Sequence, residues 1–142
     1  MDNENLYPLP QPNAFTSQFW DACQQESLEV SVCLTCDHGF LPGSPVCPEC
    51  WSQDLGTRPV SGLGKVFSFV VYHRTYHPAI PAPYVVAIIE LDSDTHPGVR
   101  LVSNVVGCPH EKVTVGMPVQ VVFERESDFV LPRFEPVPSS VA

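Results

Sequence analysis

Two Cys-x-x-Cys pairs, Cys33-Leu-Thr-Cys36 and Cys47-Pro-Glu-Cys50, stand ten residues apart and constrain this chain more than any other feature. Two residues between thiolates allow a tight knuckle whose sulfurs face one ion, and two knuckles complete a tetrahedron with Zn–S distances of about 2.3 Å. Four thiolates saturate the coordination sphere and leave no position for a water to be activated, so the spacing predicts one structural Zn2+ rather than a catalytic one. Iron in a rubredoxin-like redox site would suit the same donors, but the short segment between the knuckles favours a zinc ribbon. His38, close in sequence, is read as a loop residue because a fifth ligand is unnecessary.

The rest of the chain must fold around that ribbon within 142 residues and 15.7 kDa, which excludes a large multidomain enzyme. Its longest apolar run, Tyr84 to Ile89, is far shorter than the roughly 18 residues of a membrane helix, so no membrane association is expected. The start, Met1-Asp-Asn-Glu-Asn, is acidic and then broken by proline, unlike a secretory signal, which leads to the expectation of a cytoplasmic protein. Seven basic residues face sixteen acidic ones, for a formal charge of −9. Residues 1–59 carry eight of the acidic residues and only Arg58 as a base, and ligating thiolates would make this half more negative still. Nucleic acid is therefore not an expected partner, because phosphate binding takes clustered Lys and Arg. The 16 prolines argue against long helices.

Along the chain, Tyr7-Pro-Leu-Pro-Gln-Pro has the spacing of an extended, polyproline-like arm. A short helix is expected next, with Asn13 as its N-cap and Phe15, Phe19, Ala22 and Cys23 on one face, flanked by Trp20. Cys23 on this stripe reads as a buried thiol. From Ser61 the pattern turns to β: 65–72, 84–91, 99–106, 119–126 and 129–134 are five runs rich in β-branched and aromatic residues, separated by Gly, Asp, Ser and Pro. Five such strands suit a small closed barrel, of which the oligonucleotide/oligosaccharide-binding (OB) fold is the commonest form. The expected division is an arm and helix at 1–27, a four-cysteine, rubredoxin-like zinc ribbon at 28–59, a five-stranded OB barrel at 60–136 and a tail at 137–142, mainly β overall.

This order of features resembles a known family. The Phe19-Trp20 helix, the lead-in from Leu28 to Cys33, and the paired knuckles with Pro42 and Pro45-Val46 before the second are its first half. Ser61-Gly-x-Gly64-Lys-Val-Phe-Ser-Phe, Pro83-Tyr84-Val-Val-Ala-Ile-Ile-Glu-Leu, Val115-Gly-Met-Pro-Val and Leu131-Pro-x-Phe134 complete it. Together they are similar to the acyl-CoA-associated zinc-ribbon/OB-fold proteins, also called domain of unknown function 35 (DUF35), over roughly residues 13–136. The resemblance implies a non-catalytic partner subunit of a thiolase-fold enzyme that makes or cleaves a carbon–carbon bond in an acyl-CoA. Thiolases, acyltransferases and retro-aldol lyases that shorten steroid side chains or degrade aromatic acyl-CoAs are of this kind. It further implies a heterotetramer with acyl-CoA at the shared interface and the catalytic residues on the partner. This chain departs from the family in carrying Ser44 where relatives often have arginine, and Asp37 and Trp51 where glycine often follows each knuckle.

No nucleophile elbow, zinc-protease helix, P-loop or dinucleotide glycine signature occurs, so no catalytic residue is nominated. The densest polar cluster is the segment Tyr72-His-Arg-Thr-Tyr-His-Pro-Ala-Ile-Pro-Ala-Pro-Tyr84. It reads either as an ordinary hairpin loop or as an interface or pocket wall. In the second case Arg74 meets a phosphate or a partner carboxylate, while Tyr76, His77 and Tyr84 line a substrate channel. Arg100 and Lys112 are further candidates for CoA phosphates, and Trp20 for partner contact. Cys108 and His110, in Gly107-Cys-Pro-His, read as turn and packing residues. Three functions compete: the acyl-CoA partner subunit, a single-stranded nucleic-acid-binding ribbon/OB protein, and an independent redox or acyl-transfer enzyme. Charge weighs against the second and the missing catalytic set against the third.

Overall fold

A computed structural model describes residues 7–138. The acidic start that underlies the cytoplasmic expectation, at residues 1–6, and residues 139–142 of the expected tail lie outside them. The described chain is mainly β, with one α-helix, a small three-stranded sheet that carries the cysteines, and a closed five-stranded barrel.

The small sheet comprises β1 (Glu29–Cys33), β2 (Gly39–Phe40) and β3 (Leu55–Pro59), antiparallel in the order β2-β1-β3. Its central strand alternates, so that Val30 and Val32 are fully buried while Glu29 and Ser31 are half-buried. Those two valines, with Leu28, join the barrel's Val66, Ile89, Leu91 and Phe134 in a single core. One hydrophobic core thus serves both the ribbon and the barrel.

The barrel is built from β4 (Leu63–Tyr72), β5 (Tyr84–Leu91), β6 (Arg100–Val105), β7 (Pro118–Glu126) and β8 (Phe129–Pro136). The five predicted runs fall on these strands. Its closed order, β4-β5-β6-β8-β7, is antiparallel except where β6 meets β8 through Val105 and Phe134. That one parallel contact shuts the sheet on itself and removes its edges. A short 3-10 turn, His110–Lys112, lies in the β6–β7 connection. The run Ser61-Gly-x-Gly64, read as a turn, is one only in part: Gly62 takes a positive φ of 87°, whereas Gly64 already lies in β4, where a Cβ would come 2.6 Å from the backbone oxygen of Glu90 on the paired strand.

The helix differs from expectation. α1 spans Ser17–Gln24, one turn later than a helix capped at Asn13 would begin. The Asn13 carboxamide instead accepts hydrogen bonds from the Phe15 and Thr16 amides, at 2.8 and 3.0 Å, and holds a separate turn ahead of the helix. Phe15 therefore leaves the apolar stripe and is exposed, whereas Ala22 and Cys23 are buried and Phe19 packs on the core. Burial, with the Glu29 carboxylate nearby, pushes the Cys23 thiol up to about 12, so it is protonated at neutral pH.

Replacing Gly64 by Ala is expected to destabilise the protein by about 2 kcal/mol or more, because the clash is with backbone and cannot be relieved by a rotamer change. Urea unfolding measures this. An unchanged midpoint would show that the β4–β5 pair can spread.

Candidate metal centre and clefts

Each knuckle is made by its backbone. After Cys33 the chain turns back so that the Asp37 amide donates to the Cys33 carbonyl at 2.8 Å, and the Cys33 amide donates to the His38 carbonyl at 2.9 Å. The second knuckle repeats this with Trp51 on Cys47 and Cys47 on Ser52, both at 2.9 Å. Each loop closes with a residue in left-handed conformation, Asp37 at φ 65° and Trp51 at φ 68°, which is why glycine would suit both places. Amide groups of Thr35, Cys36 and Glu49 point at the first sulfur of their knuckle, each at 3.4 Å.

The four sulfurs converge. Cys33 Sγ lies 3.5 Å from Cys50 Sγ, Cys36 Sγ lies 3.7 Å from Cys47 Sγ, and all four fall within 4.8 Å of one another. A zinc tetrahedron with bonds of about 2.3 Å has edges of about 3.8 Å, so the sulfur set fits the ion closely. Its electrostatics agree. The Cys36 and Thr35 amides, with the neighbouring sulfurs of Cys50 and Cys36, outweigh desolvation and hold the Cys33 thiol down at about 6. Cys36, although the His38 amide lowers it, is pushed up to about 12 by desolvation and by the sulfurs of Cys50, Cys47 and Cys33. Four thiolates this close repel one another, so holding all four ionised requires a cation among them. The donors are four thiols, soft ligands that suit zinc. Cys33 and Cys47 are buried and Cys36 and Cys50 exposed, as in a site set at a surface. His38 stacks on Phe40 with ring centroids 5.9 Å apart.

A buried histidine ties this centre to the barrel. His96, in the β5–β6 connection, donates from Nε2 to Asp37 Oδ1 at 2.9 Å, and its Nδ1 lies 2.9 Å from Thr95 Oγ1. The residue that closes the first knuckle is therefore held from the barrel side. Sequence reasoning did not single out His96, because the contact spans 59 positions.

Two clefts flank the barrel. The larger, about 1040 Å³, opens between the arm, the β4–β5 loop and the β6–β7 connection, and is lined by Tyr7, Ile80, Tyr84, Cys108, His110 and Arg133 among others. The smaller, about 400 Å³, lies between α1, the end of β2, and strands β6 and β8, with Phe19, Trp20, Leu41, Arg100 and Leu131 in its walls. Arg133 stands between them. Burial works against its charge, but the hydrogen bond to Glu124 and the contacts with Tyr7 more than offset this and hold the guanidinium above its ordinary range. Glu126 lies 3.7 Å away, and the Tyr7 ring packs against the guanidinium. Arg133 is the variable position of Leu131-Pro-x-Phe134, so the motif marked the place but not the residue.

The candidate residues from the sequence divide accordingly. Tyr84 lines the larger cleft and stacks on its cross-strand partner Tyr72 at 4.9 Å; desolvation and the neighbouring Tyr72, Tyr76 and Tyr7 push its phenol up. Tyr76 is exposed beside Tyr72, with the Arg74 guanidinium 5.6 Å above its ring. His77 bridges to Ile80 within the loop, and its Nδ1 accepts the Ala79 amide at 3.1 Å. Trp20 and Arg100 belong to the smaller cleft. Arg100 lies 3.7 Å over the Phe67 ring and 3.6 Å from Glu90. Lys112 ends the exposed 3-10 turn and lines neither cleft.

Residues 20–56 match the family model for the ChsH2 rubredoxin-like zinc ribbon domain, and residues 57–124 that for the ChsH2 C-terminal OB-fold domain. The chain is 38% identical over 132 residues to a probable enoyl-CoA hydratase alpha subunit of Thermomonospora curvata, which covers 92% of this chain but 40% of that protein. It thus spans about two fifths of that relative's length. It is 36% identical over 104 residues to a DUF35 domain-containing scaffold protein of Methanothermobacter thermautotrophicus, covering 72% of this chain and 75% of that protein. Among solved structures, the Ltp2-ChsH2(DUF35) aldolase superimposes with a TM-score of 0.81 at 36% identity, covering 90% of this chain and 98% of that one.

Cys33→Ser or Cys47→Ser is expected to reduce bound zinc from about one ion per chain to near none and to abolish cooperative folding of the ribbon, because structural zinc contributes folding free energy directly. Metal analysis of the purified variants measures it, and retained zinc would contradict the site. Trp51→Gly should act in the opposite sense. Relief of a left-handed tryptophan, less the added chain entropy of glycine, leaves about 0.5–1 kcal/mol of stabilisation, or a Tm higher by about 2–3 °C. A lower Tm would mean that the indole contributes more than its backbone costs.

Proposed function

Because this chain belongs to the DUF35 family of ChsH2-type zinc-ribbon/OB-fold proteins, we propose that it is a non-catalytic partner subunit of a thiolase-fold enzyme. That enzyme makes or cleaves a carbon–carbon bond in an acyl-CoA, with retro-aldol cleavage the favoured chemistry. The observation that carries this reading is the match over nearly the whole of a chain from the Ltp2-ChsH2(DUF35) aldolase. The hydratase name of the Thermomonospora relative is not carried over, because about three fifths of that α subunit have no counterpart in this chain.

In this reading zinc fixes the ribbon, the ribbon braces the barrel, and the barrel offers the partner a rigid wall. The larger cleft forms part of the CoA and acyl channel in a heterotetramer. Tyr84 and His110 lie on that wall, and Tyr76 is exposed beside Tyr72 on the adjoining loop. Arg133, already paired with carboxylates, keeps the arm's Tyr7 in place instead of binding phosphate. Arg74 and Arg100, more exposed than Arg133, meet partner carboxylates or CoA phosphates more readily, Arg100 from its place beside Glu90 and Phe67.

Co-expression with the Ltp2 subunit, followed by assay on a panel of β-hydroxyacyl-CoAs, tests the proposal. A stable complex that cleaves substrate, with no turnover by this chain alone, is the expected result. Turnover by the isolated chain would overturn the non-catalytic assignment. Submicromolar binding of single-stranded DNA with a steep salt dependence would favour a nucleic-acid role instead.

A further inference from the structure

The outer face of the sheet β4-β5-β6 has the wrong chemistry for solvent. An antiparallel strand with one face in the core ordinarily shows polar residues on the other. Here the inward set on β5 is Val85, Ala87, Ile89 and Leu91, all buried, yet the outward set is Tyr84, Val86 and Ile88 before Glu90 is reached. The strand register extends this across three strands. Val70 pairs with Val86, and Val86 with Asn104; Ser68 pairs with Ile88, and Ile88 with Val102. Phe67, at the irregularity in β4, is also exposed, as are Val70 at 53% and Val102 at 67%.

The charges around this face are unequal. One end is closed by the row Lys65, Glu90 and Arg100, with ion pairs of 3.7 and 3.6 Å to the central glutamate. At the other end Arg74 caps the aromatic group Tyr72, Tyr76 and Tyr84. Three cations and one carboxylate border an apolar centre, in a chain whose formal charge is −9. A second copy seated here about a two-fold axis would bring cationic ends against cationic ends. A partner with carboxylates around an apolar patch is complementary in both respects.

Six residues along β5 at about 3.4 Å each, and three strands about 4.8 Å apart, give a patch on the order of 300 Å². That is well short of the roughly 800 Å² per partner in an ordinary stable interface. The contact must therefore continue past the strands, and the face borders both clefts, reaching the larger at Tyr84 and the smaller at Arg100 and Val102. We propose that this face, centred on Val70, Val86, Ile88 and Val102, seats the partner subunit, which presents an apolar surface rimmed by carboxylates and roofs the two clefts. The inference rests on the partner-subunit reading above and deepens it.

The test uses the full zinc-loaded chain with the Ltp2 subunit as probe. Val70→Asp and Val102→Asp should each weaken association by about 100-fold or more. Arg100→Glu should weaken it about tenfold and flatten its salt dependence. Arg125→Glu, on β7 outside this face, should leave it within about twofold. Zinc content and Tm confirm that each variant is folded, which the exposure of Val70 and Val102 favours. If Ltp2 binds the wild-type chain and both Asp variants equally, the face is overturned while the partner-subunit reading stands. Absence of any complex with the wild type overturns both. If the isolated chain is a dimer that Val102→Asp dissociates, the occupant is a second copy and the proposal fails.

Discussion

Four sulfurs brought within 4.8 Å of one another are the constraint on which the ribbon depends. Its three strands are short, β2 having two residues, and such a sheet cannot stabilise itself. The thiolate cluster closes the turns that the strands leave open, at the cost of two left-handed side-chain residues, Asp37 and Trp51. With the turns fixed, β1 is held so that Val30 and Val32 enter the barrel core. Metal binding and barrel packing are thus linked through one five-residue strand.

The His96–Asp37 bond strengthens that link from the other direction. A side chain of the barrel reaches the residue next to a metal ligand, so the ribbon is oriented as well as attached. The same logic holds at Arg133, where one buried cation gathers Glu124, Glu126 and the arm's Tyr7 between two clefts. Both contacts shape surfaces instead of supplying a reactive group. Such contacts fit the partner-subunit role proposed above, in which function depends on shape and position.

Much of the fold was legible because its signals are local. Cys-x-x-Cys needs only the geometry of one turn, and five apolar runs divided by Gly, Pro and Asp need only strand preference and turn chemistry. The helix start was misplaced because Asn13 caps a turn in either case, and sequence does not say whether a helix follows at once. The outer sheet face carried a signal too: Tyr84 to Ile89 is apolar at every position, as in a strand covered on both sides. A run so short bears on membranes only by its length, and its evenness gains meaning once a barrel leaves one side open.

The sequence by itself determined the four-thiolate metal site, the ribbon, the five strands of the barrel and an acidic charge concentrated in the first half, since each follows from neighbours along the chain. The tertiary structure alone decided that Phe67, Val70, Ile88 and Val102 share one exposed face, that His96 meets Asp37, and that Arg133 meets Tyr7 across 126 positions. These are products of strand register and barrel closure. A one-residue slip in pairing would turn the apolar face inward and the core outward, so no local pattern could have placed them.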